Sequence, residues 1–206
     1  MNLNRPTIQL TGATIFAALA VILQILPPIF ISPWTMRIDL VAIPWILCWI
    51  IFGLKPALLS ILISAPLIGF IGPVAGGWVG ATMKSVASIW MFVIPGIIAW
   101  KTGGVEKLLE NKKLFVVASI VAIIARVVVT VIFNFYFALP FFFFMTPDDK
   151  IGYFSDVTIF GLVGIGAYIL EVAFWNTIQG VIDLIASLAV GRIILRRFPV
   201  LKFKKR

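Results

Sequence analysis

The sequence predicts an all-α integral membrane protein with six transmembrane helices, and three observations support this fold class. The chain has 206 residues, of which 62% are hydrophobic and 12% charged, whereas soluble domains are about 45–50% apolar and about 25% charged. A spanning helix needs roughly 20 apolar residues, and the chain contains six apolar runs. Proline, glycine or charged residues separate these runs. We therefore predict one transmembrane domain over residues 1–206.

The predicted spans follow the apolar runs. They cover about residues 8–26, 38–54, 57–71, 78–100, 114–139 and 162–195. The first run ends at Pro27-Pro28 and lacks a cleavage site of small residues, which favours a span over a signal peptide. The third run is short and contains Pro66, Gly69 and Gly72, so we expect this helix to be bent or broken.

The basic residues predict the orientation. With six spans, both termini share one side with the 2–3 and 4–5 connections, and this side receives 13 of the 17 basic residues. These are Arg5, Lys55, Lys101, Lys107, Lys112, Lys113, Arg192, Arg196, Arg197, Lys202, Lys204, Lys205 and Arg206. The positive-inside rule then places both termini in the cytoplasm and the protein in the cell membrane. The net charge of +9 is explained by this orientation and by lipid headgroups at the basic tail, and we expect no nucleic-acid partner.

Several kinds of chemistry are disfavoured by composition. The chain has no histidine and one cysteine, Cys48, which argues against histidine-dependent nucleophiles and histidine zinc sites. The glycine-rich run 72–80 lacks the Gly-Lys-Ser/Thr ending of a phosphate loop. We therefore expect no enzymatic activity, no metal and no cofactor.

Four charged residues interrupt the apolar runs: Lys84, Arg126, Glu171 and Asp183. Each costs about 2.5–3.5 kcal/mol at a helix centre, so such residues normally face a partner or a cavity. Arg126 and Asp183 each lie about twelve residues from the cytoplasmic end of their helix, which predicts an ion pair at equal depth. Lys84 and Glu171 lie nearer the outer face, where snorkelling to the interface costs less. Lys84 is also a candidate ligand-binding residue.

Uncharged polar side chains mark a candidate ligand site. Asn134 lies among aromatic residues in the fifth span, and Asn176 and Gln179 lie on one polar stripe of the sixth. Together with Trp34 and Tyr136, they would suit a planar heteroaromatic ligand, which needs stacking area and a few fixed hydrogen bonds. The alternative is that these amides only join helices.

Segments from most of the chain carry a family resemblance. They are the stripe Ala13-x-x-x-Ala17, residues 33–44 with Phe52-Gly53, residues 79–87, Asn134-Phe-Tyr-Phe-Ala-Leu-Pro140, and Ala173-Phe-Trp-Asn-Thr-Ile-Gln-Gly180. In this order they resemble the substrate-binding (S) components of energy-coupling-factor (ECF) vitamin transporters, most closely the riboflavin-specific type. The resemblance implies a membrane subunit that captures riboflavin from outside, with the loop between the first two spans as a lid.

The resemblance also implies partners and site residues. Ala13 and Ala17 would dock on the coupling transmembrane subunit, which works with two ATPase subunits. Asn134, Asn176 and Gln179 would bind the polar edge of the isoalloxazine ring. Trp34 and Asp39 of the outer loop, with Lys84 and Tyr136, complete the candidate binding residues.

Two positions depart from the family pattern. Gln179 stands where the family has a lysine, and Lys84 stands where the family has an asparagine. These changes leave open an S component for another vitamin or small heterocycle. A six-span scaffold subunit of envelope or cell-shape assembly, binding no small molecule, is the alternative from another class.

Overall fold

The structure is a computed structural model that describes residues 5–32, 36–71, 76–143, 158–159 and 161–198. Within these ranges it consists of helices and two short antiparallel hairpins. The helices are α1 (Pro6–Ile25), α2 (Ala42–Phe52), α3 (Leu54–Ile71), α4 (Gly77–Thr102), α5 (Val105–Glu110), α6 (Lys112–Phe133), α7 (Leu139–Phe143) and α8 (Ile165–Arg197), and a π-helical segment, Asn134–Ala138, joins α6 to α7. The strands are β1 (Phe30–Ile31), paired with β2 (Arg37–Ile38), and β3 (Thr158–Ile159), paired with β4 (Leu162–Val163).

The helices have the lengths that a multi-pass membrane protein needs. Among the described residues, five stretches are long and apolar enough to cross a membrane, and α2 is a shorter apolar helix. The predicted all-α membrane fold class is therefore confirmed. Both hairpins lie at one end of the bundle, where α1 ends and α2 and α8 begin; we call this the hairpin end. Under the predicted orientation, which stays a prediction, it is the outer end.

The second predicted span is shorter than expected. The span was predicted over residues 38–54, but α2 has 11 residues because residues 37–38 form β2 and pair with β1. Such a helix rises about 16 Å, roughly half of a hydrocarbon core about 30 Å thick. It lies against α1, α3 and α8, and Trp45 and Trp49 are completely buried there. This short apolar helix thus forms the centre of the core.

The third predicted span was expected to be bent or broken, and it is continuous, so the expectation of a break is wrong. Residues Leu54–Ile71 form one α-helix with Pro66 inside it. Proline removes one backbone donor, and a helix covered by neighbours tolerates that loss at membrane depth; α3 packs against α1, α2 and α4. Gly53, with φ +94°, turns the chain directly from α2 into α3 because it carries no Cβ.

The alanine stripe of α1 faces the inside of the bundle. Ala13 and Ala17 are 0% and 1% exposed, in a helix that packs on α2 and α3. Leu10, Ile15 and Ile22 occupy the exposed side of the same helix. Small side chains allow close helix approach, and here that approach is made within the chain. A partner cannot reach Ala13 and Ala17 in this conformation, so docking through them stays a prediction that depends on a change in α1 packing.

Candidate functional site

Asp39, directly after β2, joins the loop between α1 and α2 to α8. Its backbone N–H donates to Gln179 Oε1 at 3.0 Å, and its carbonyl oxygen accepts from Gln179 Nε2 at 2.7 Å. Its carboxylate Oδ1 accepts from the backbone N–H of Val41 at 3.0 Å, which satisfies a donor at the start of α2. One residue therefore ends the hairpin, stabilises the start of α2 and binds the side chain of α8.

Lys84 of α4 adds a third connection to the same residue. Its Nζ donates to Asp39 Oδ2 at 2.5 Å and also to Gln24 Oε1 near the end of α1. The Lys84 and Asp39 side chains are 17% and 13% exposed. The ammonium thus joins α1, α4 and the loop that enters α2. Lys84 is held by protein partners and does not snorkel freely.

The predicted ion pair between Arg126 and Asp183 is confirmed. Arg126 Nη1 donates to Asp183 Oδ2 at 2.9 Å, and the two side chains are 6% and 0% exposed. Gln179 Nε2 donates to the other carboxylate oxygen at 2.7 Å, and Arg126 Nε donates to Asn176 Oδ1 at 3.2 Å. These extra hydrogen bonds are what a buried ion pair requires to offset its desolvation.

The side chains described so far form one connected network. We call it the polar cluster; its residues are Gln24, Asp39, Lys84, Arg126, Asn176, Gln179 and Asp183. It contains two cations and two carboxylates, so its formal charge balances. It extends from the loop at the hairpin end to the middle of α6 and α8. An arrangement of this kind can bind polar groups by hydrogen bonds. Among the described residues, no group of three or more His, Cys, Asp or Glu side chains could hold a metal ion.

The structure brings four of the predicted binding residues together: Asp39, Lys84, Asn176 and Gln179. Asn134 lies apart from these bonds, since its Nδ2 donates to the Thr130 carbonyl at 2.9 Å. Tyr136 is 71% exposed. Trp34 lies outside the described residues.

The backbone around Asn134 is nevertheless unusual. Residues Asn134–Ala138 are π-helical between the α-helical turns of α6 and α7. A π-helical insertion rotates the following residues relative to the preceding helix and is frequent at functional sites. This π-helical segment begins at Asn134, the amide that the sequence places among aromatic residues. Asn134 therefore stays a candidate ligand-binding residue.

Sequence reasoning missed three residues around the cluster. Gln24 is a polar residue in the last turn of an apolar helix, and that position could have indicated a partner. Met36 packs on Tyr168 and Val172, and Phe30 stacks on Trp175 with ring centroids 4.6 Å apart. Apolar loop residues carry no such signal because the path of a loop is not readable from hydropathy.

Glu171 does not snorkel to the surface as the sequence suggested. Its side chain lies in α8 in a residue that is 3% exposed, and its Oε1 accepts no hydrogen bond within the described structure. The adjacent turn of α8 instead packs against α6, where Tyr168 donates its hydroxyl to the Val131 carbonyl at 2.9 Å. Glu171 is thus a buried carboxylate outside the polar cluster.

Comparison with known proteins supports the fold. No family model and no curated protein match the chain. Among solved structures, it is similar to a chain described as the S component of a bacterial ECF transporter, with 18% sequence identity and a TM-score of 0.66. The similarity covers 94% of this chain and 99% of that chain. The fold is therefore similar, over almost the whole length, to that of an ECF-transporter S component.

Proposed function

We propose that this protein is the substrate-binding membrane subunit of an ECF-type transporter and that it takes up riboflavin. The observation that carries the proposal is the attachment of the outer loop to the polar cluster through Asp39. A binding subunit needs a segment that can cover its ligand and polar groups beneath that segment. In a fold similar to that of an S component, the hairpin loop and the cluster supply both.

The bonds of the cluster define how a ligand could be admitted. In the present conformation Gln179 and Lys84 are both bonded to Asp39. If the loop lifts with Asp39, the Gln179 amide and the Lys84 ammonium lose these partners and become available to a ligand. The polar edge of a heteroaromatic ring would then replace the loop as their partner, and closing of the loop would follow binding.

Riboflavin is supported by the residues that resemble the riboflavin-specific type. Asn134 and Asn176 stand at the family positions in two facing helices, and the π-helical segment begins at Asn134. Aromatic side chains near the hairpin end, including Phe30 and Trp175, offer stacking surface for a planar ring. The two departures, Gln179 and Lys84, keep hydrogen-bond donors at the site.

Partners follow from the proposed class. The chain has no phosphate loop, so transport would need a coupling transmembrane subunit and two ATPase subunits. We propose α1 as the docking helix. Its exposed side borders a groove of about 280 Å³ lined by residues that include Thr7, Thr11 and Phe52, whereas Ala13 and Ala17 would be reached only after α1 repacks. The cell membrane, with both termini cytoplasmic, is the proposed location.

The scaffold alternative also has an observation in its favour. Every side chain of the polar cluster has a hydrogen-bond or ion-pair partner within the protein. Such a network would stabilise a bundle that binds no small molecule. An S component for a different heterocycle is supported instead by the Gln179 and Lys84 departures.

Ligand titration distinguishes these possibilities. The protein purified in detergent is inspected for co-purifying yellow colour and then titrated with riboflavin, while its tryptophan fluorescence is followed. We expect quenching at micromolar riboflavin. Asn176→Ala should raise the Kd about tenfold, roughly the free energy of one lost hydrogen bond, whereas the exposed neighbour Thr177→Ala should leave it unchanged. A folded wild-type protein without quenching contradicts the riboflavin assignment.

A further inference from the structure

Glu171 is a buried acid, and one of its carboxylate oxygens lacks a hydrogen bond. The residue is 3% exposed, and Oε1 has no donor among the described residues. Ion pairs within 4.0 Å among the described residues involve two other carboxylates, Asp39 with Lys84 and Asp183 with Arg126. A buried acceptor left without a partner is unfavourable, and more so when it is charged. Because burial without a donor is unfavourable, Glu171 Oε1 is suited to accept a hydrogen bond from a molecule outside the chain.

Trp175 carries a buried N–H donor that has no acceptor among the described residues, and it lies one helical turn from Glu171. Residues four apart on a helix are neighbours on one face, so Trp175 lies one turn from Glu171 along α8. Its indole Nε1 is buried and has no acceptor within the described structure. The ring itself is fixed, because it stacks on Phe30 of β1 at 4.6 Å with an interplanar angle of 30°. The two residues therefore lie on neighbouring turns of α8, and Trp175 also contacts the first hairpin through Phe30.

The position of this pair relative to the polar cluster is informative. Glu171 precedes Asn176 by five residues in α8, which corresponds to about 7–8 Å along the helix axis toward the hairpin end. Glu171 and Trp175 are therefore nearer the hairpin end than Asn176 and Gln179. Glu171, Trp175 and Gln179 are spaced four residues apart, so they lie on successive turns along one side of α8. A ligand whose ring lies at Gln179 would carry its substituent along that side toward Glu171.

We propose that Glu171 and Trp175 form a subsite for the hydroxyl-bearing chain of the ligand. A hydroxyl group donates one hydrogen bond and accepts others, so it can donate to the Glu171 carboxylate and accept from Trp175 Nε1. The inference rests on the proposed riboflavin function, since riboflavin combines a planar ring with a chain of hydroxyl groups.

The test combines truncation of the ligand with substitution of the subsite. Riboflavin and lumiflavin share the isoalloxazine ring, but lumiflavin lacks the hydroxylated chain. Binding of each is followed by the fluorescence of the flavin itself, in wild type, Glu171→Gln and Trp175→Phe, which keeps a ring against Phe30. Trp78→Phe, at an exposed tryptophan of α4, is the matched control. Thermal unfolding of each variant in detergent verifies that it folds.

We expect the substitutions to weaken the binding of only the flavin that carries the hydroxylated chain. Glu171→Gln should weaken riboflavin binding about tenfold and Trp175→Phe by a smaller factor, while lumiflavin binding stays within about twofold of wild type. Equal losses for both flavins, or no loss for riboflavin, overturn the subsite while leaving the proposed function standing. A wild-type protein that binds neither flavin overturns the proposed function and the subsite together.

Discussion

Among the described residues, two ion pairs lie inside the bundle, and they differ in what they join. Arg126–Asp183 connects two long helices, α6 and α8, and both side chains are almost completely buried. Lys84–Asp39 connects a helix to the end of a loop, and both side chains keep some exposure. Water can replace the partners of the second pair more readily than those of the first. We infer that Arg126–Asp183 belongs to the part of the bundle that keeps its packing, which we call the framework. Lys84–Asp39, together with Gln24, joins α4 and α1 to the loop before α2. We call this contact the junction and infer that it separates when a ligand enters.

Removing the buried carboxylate should have the largest effect. Asp183→Ala leaves Arg126 with a charge that is desolvated and lacks its counter-ion, so we expect the free energy of unfolding to fall by about 3–5 kcal/mol. Unfolding in detergent, followed by circular dichroism against denaturant, measures the loss. The double variant Arg126→Met/Asp183→Leu replaces the pair with apolar side chains and should recover much of the stability. A double variant that is less stable than Asp183→Ala would contradict this expectation. The ion pair would then contribute more stability than is needed to offset the desolvation of its two charges.

Removing the charge at the junction should have a smaller and more local effect. Asp39→Asn keeps the shape and the backbone bonds to Gln179 but weakens the attraction to Lys84, and we expect a loss of about 1–2 kcal/mol. Hydrogen exchange reports where the loss occurs. The amides of Ile29 and Ser32, which donate across the hairpin to Ile38 and Met36, should exchange faster in this variant. Faster exchange throughout α6 and α8 instead would contradict a local junction.

Removing the third member of the junction should have the smallest effect. Gln24→Leu takes away one hydrogen bond from Lys84, while the ion pair with Asp39 remains. The expected loss of stability is about 0.5–1 kcal/mol, measured by thermal unfolding beside wild type and Asp39→Asn. A loss as large as that of Asp39→Asn would mean that α1, and not the ion pair, holds Lys84 in place.

The sequence predicted the framework better than the junction, and the reason is physical. Helix rise fixes depth, so equal distances from the cytoplasmic helix ends predicted that Arg126 and Asp183 meet. Hydropathy located the long helices within a few residues of their observed bounds. Neither property describes how a loop folds back, so the hairpin, the resulting short α2 and the bonds of Asp39 to Gln179 could not be anticipated.

The burial of single residues was also poorly predicted. The family resemblance implied that Ala13 and Ala17 dock on a partner, which stays a prediction, and in this structure both are buried. Small side chains suit a contact inside the bundle as well as one with a partner. Glu171 was expected near the interface because of its depth, whereas its actual burial depends on which face of α8 is covered. Which residues are buried depends on how each helix is rotated about its own axis. A helix with apolar residues on every side does not specify that rotation.

The bonds between Asp39 and Gln179 link the residue type at position 179 to the path of the backbone. An amide side chain carries one donor group and one acceptor, so it meets the backbone N–H and carbonyl of Asp39 as a neighbouring β-strand would. A lysine can donate but cannot accept, and a glutamate can accept but, when ionised, cannot donate. Gln179 therefore acts as a one-residue substitute for a third strand beside the hairpin. Related chains with glutamine at this position are expected to share the loop conformation, and chains with lysine there to fold the loop differently.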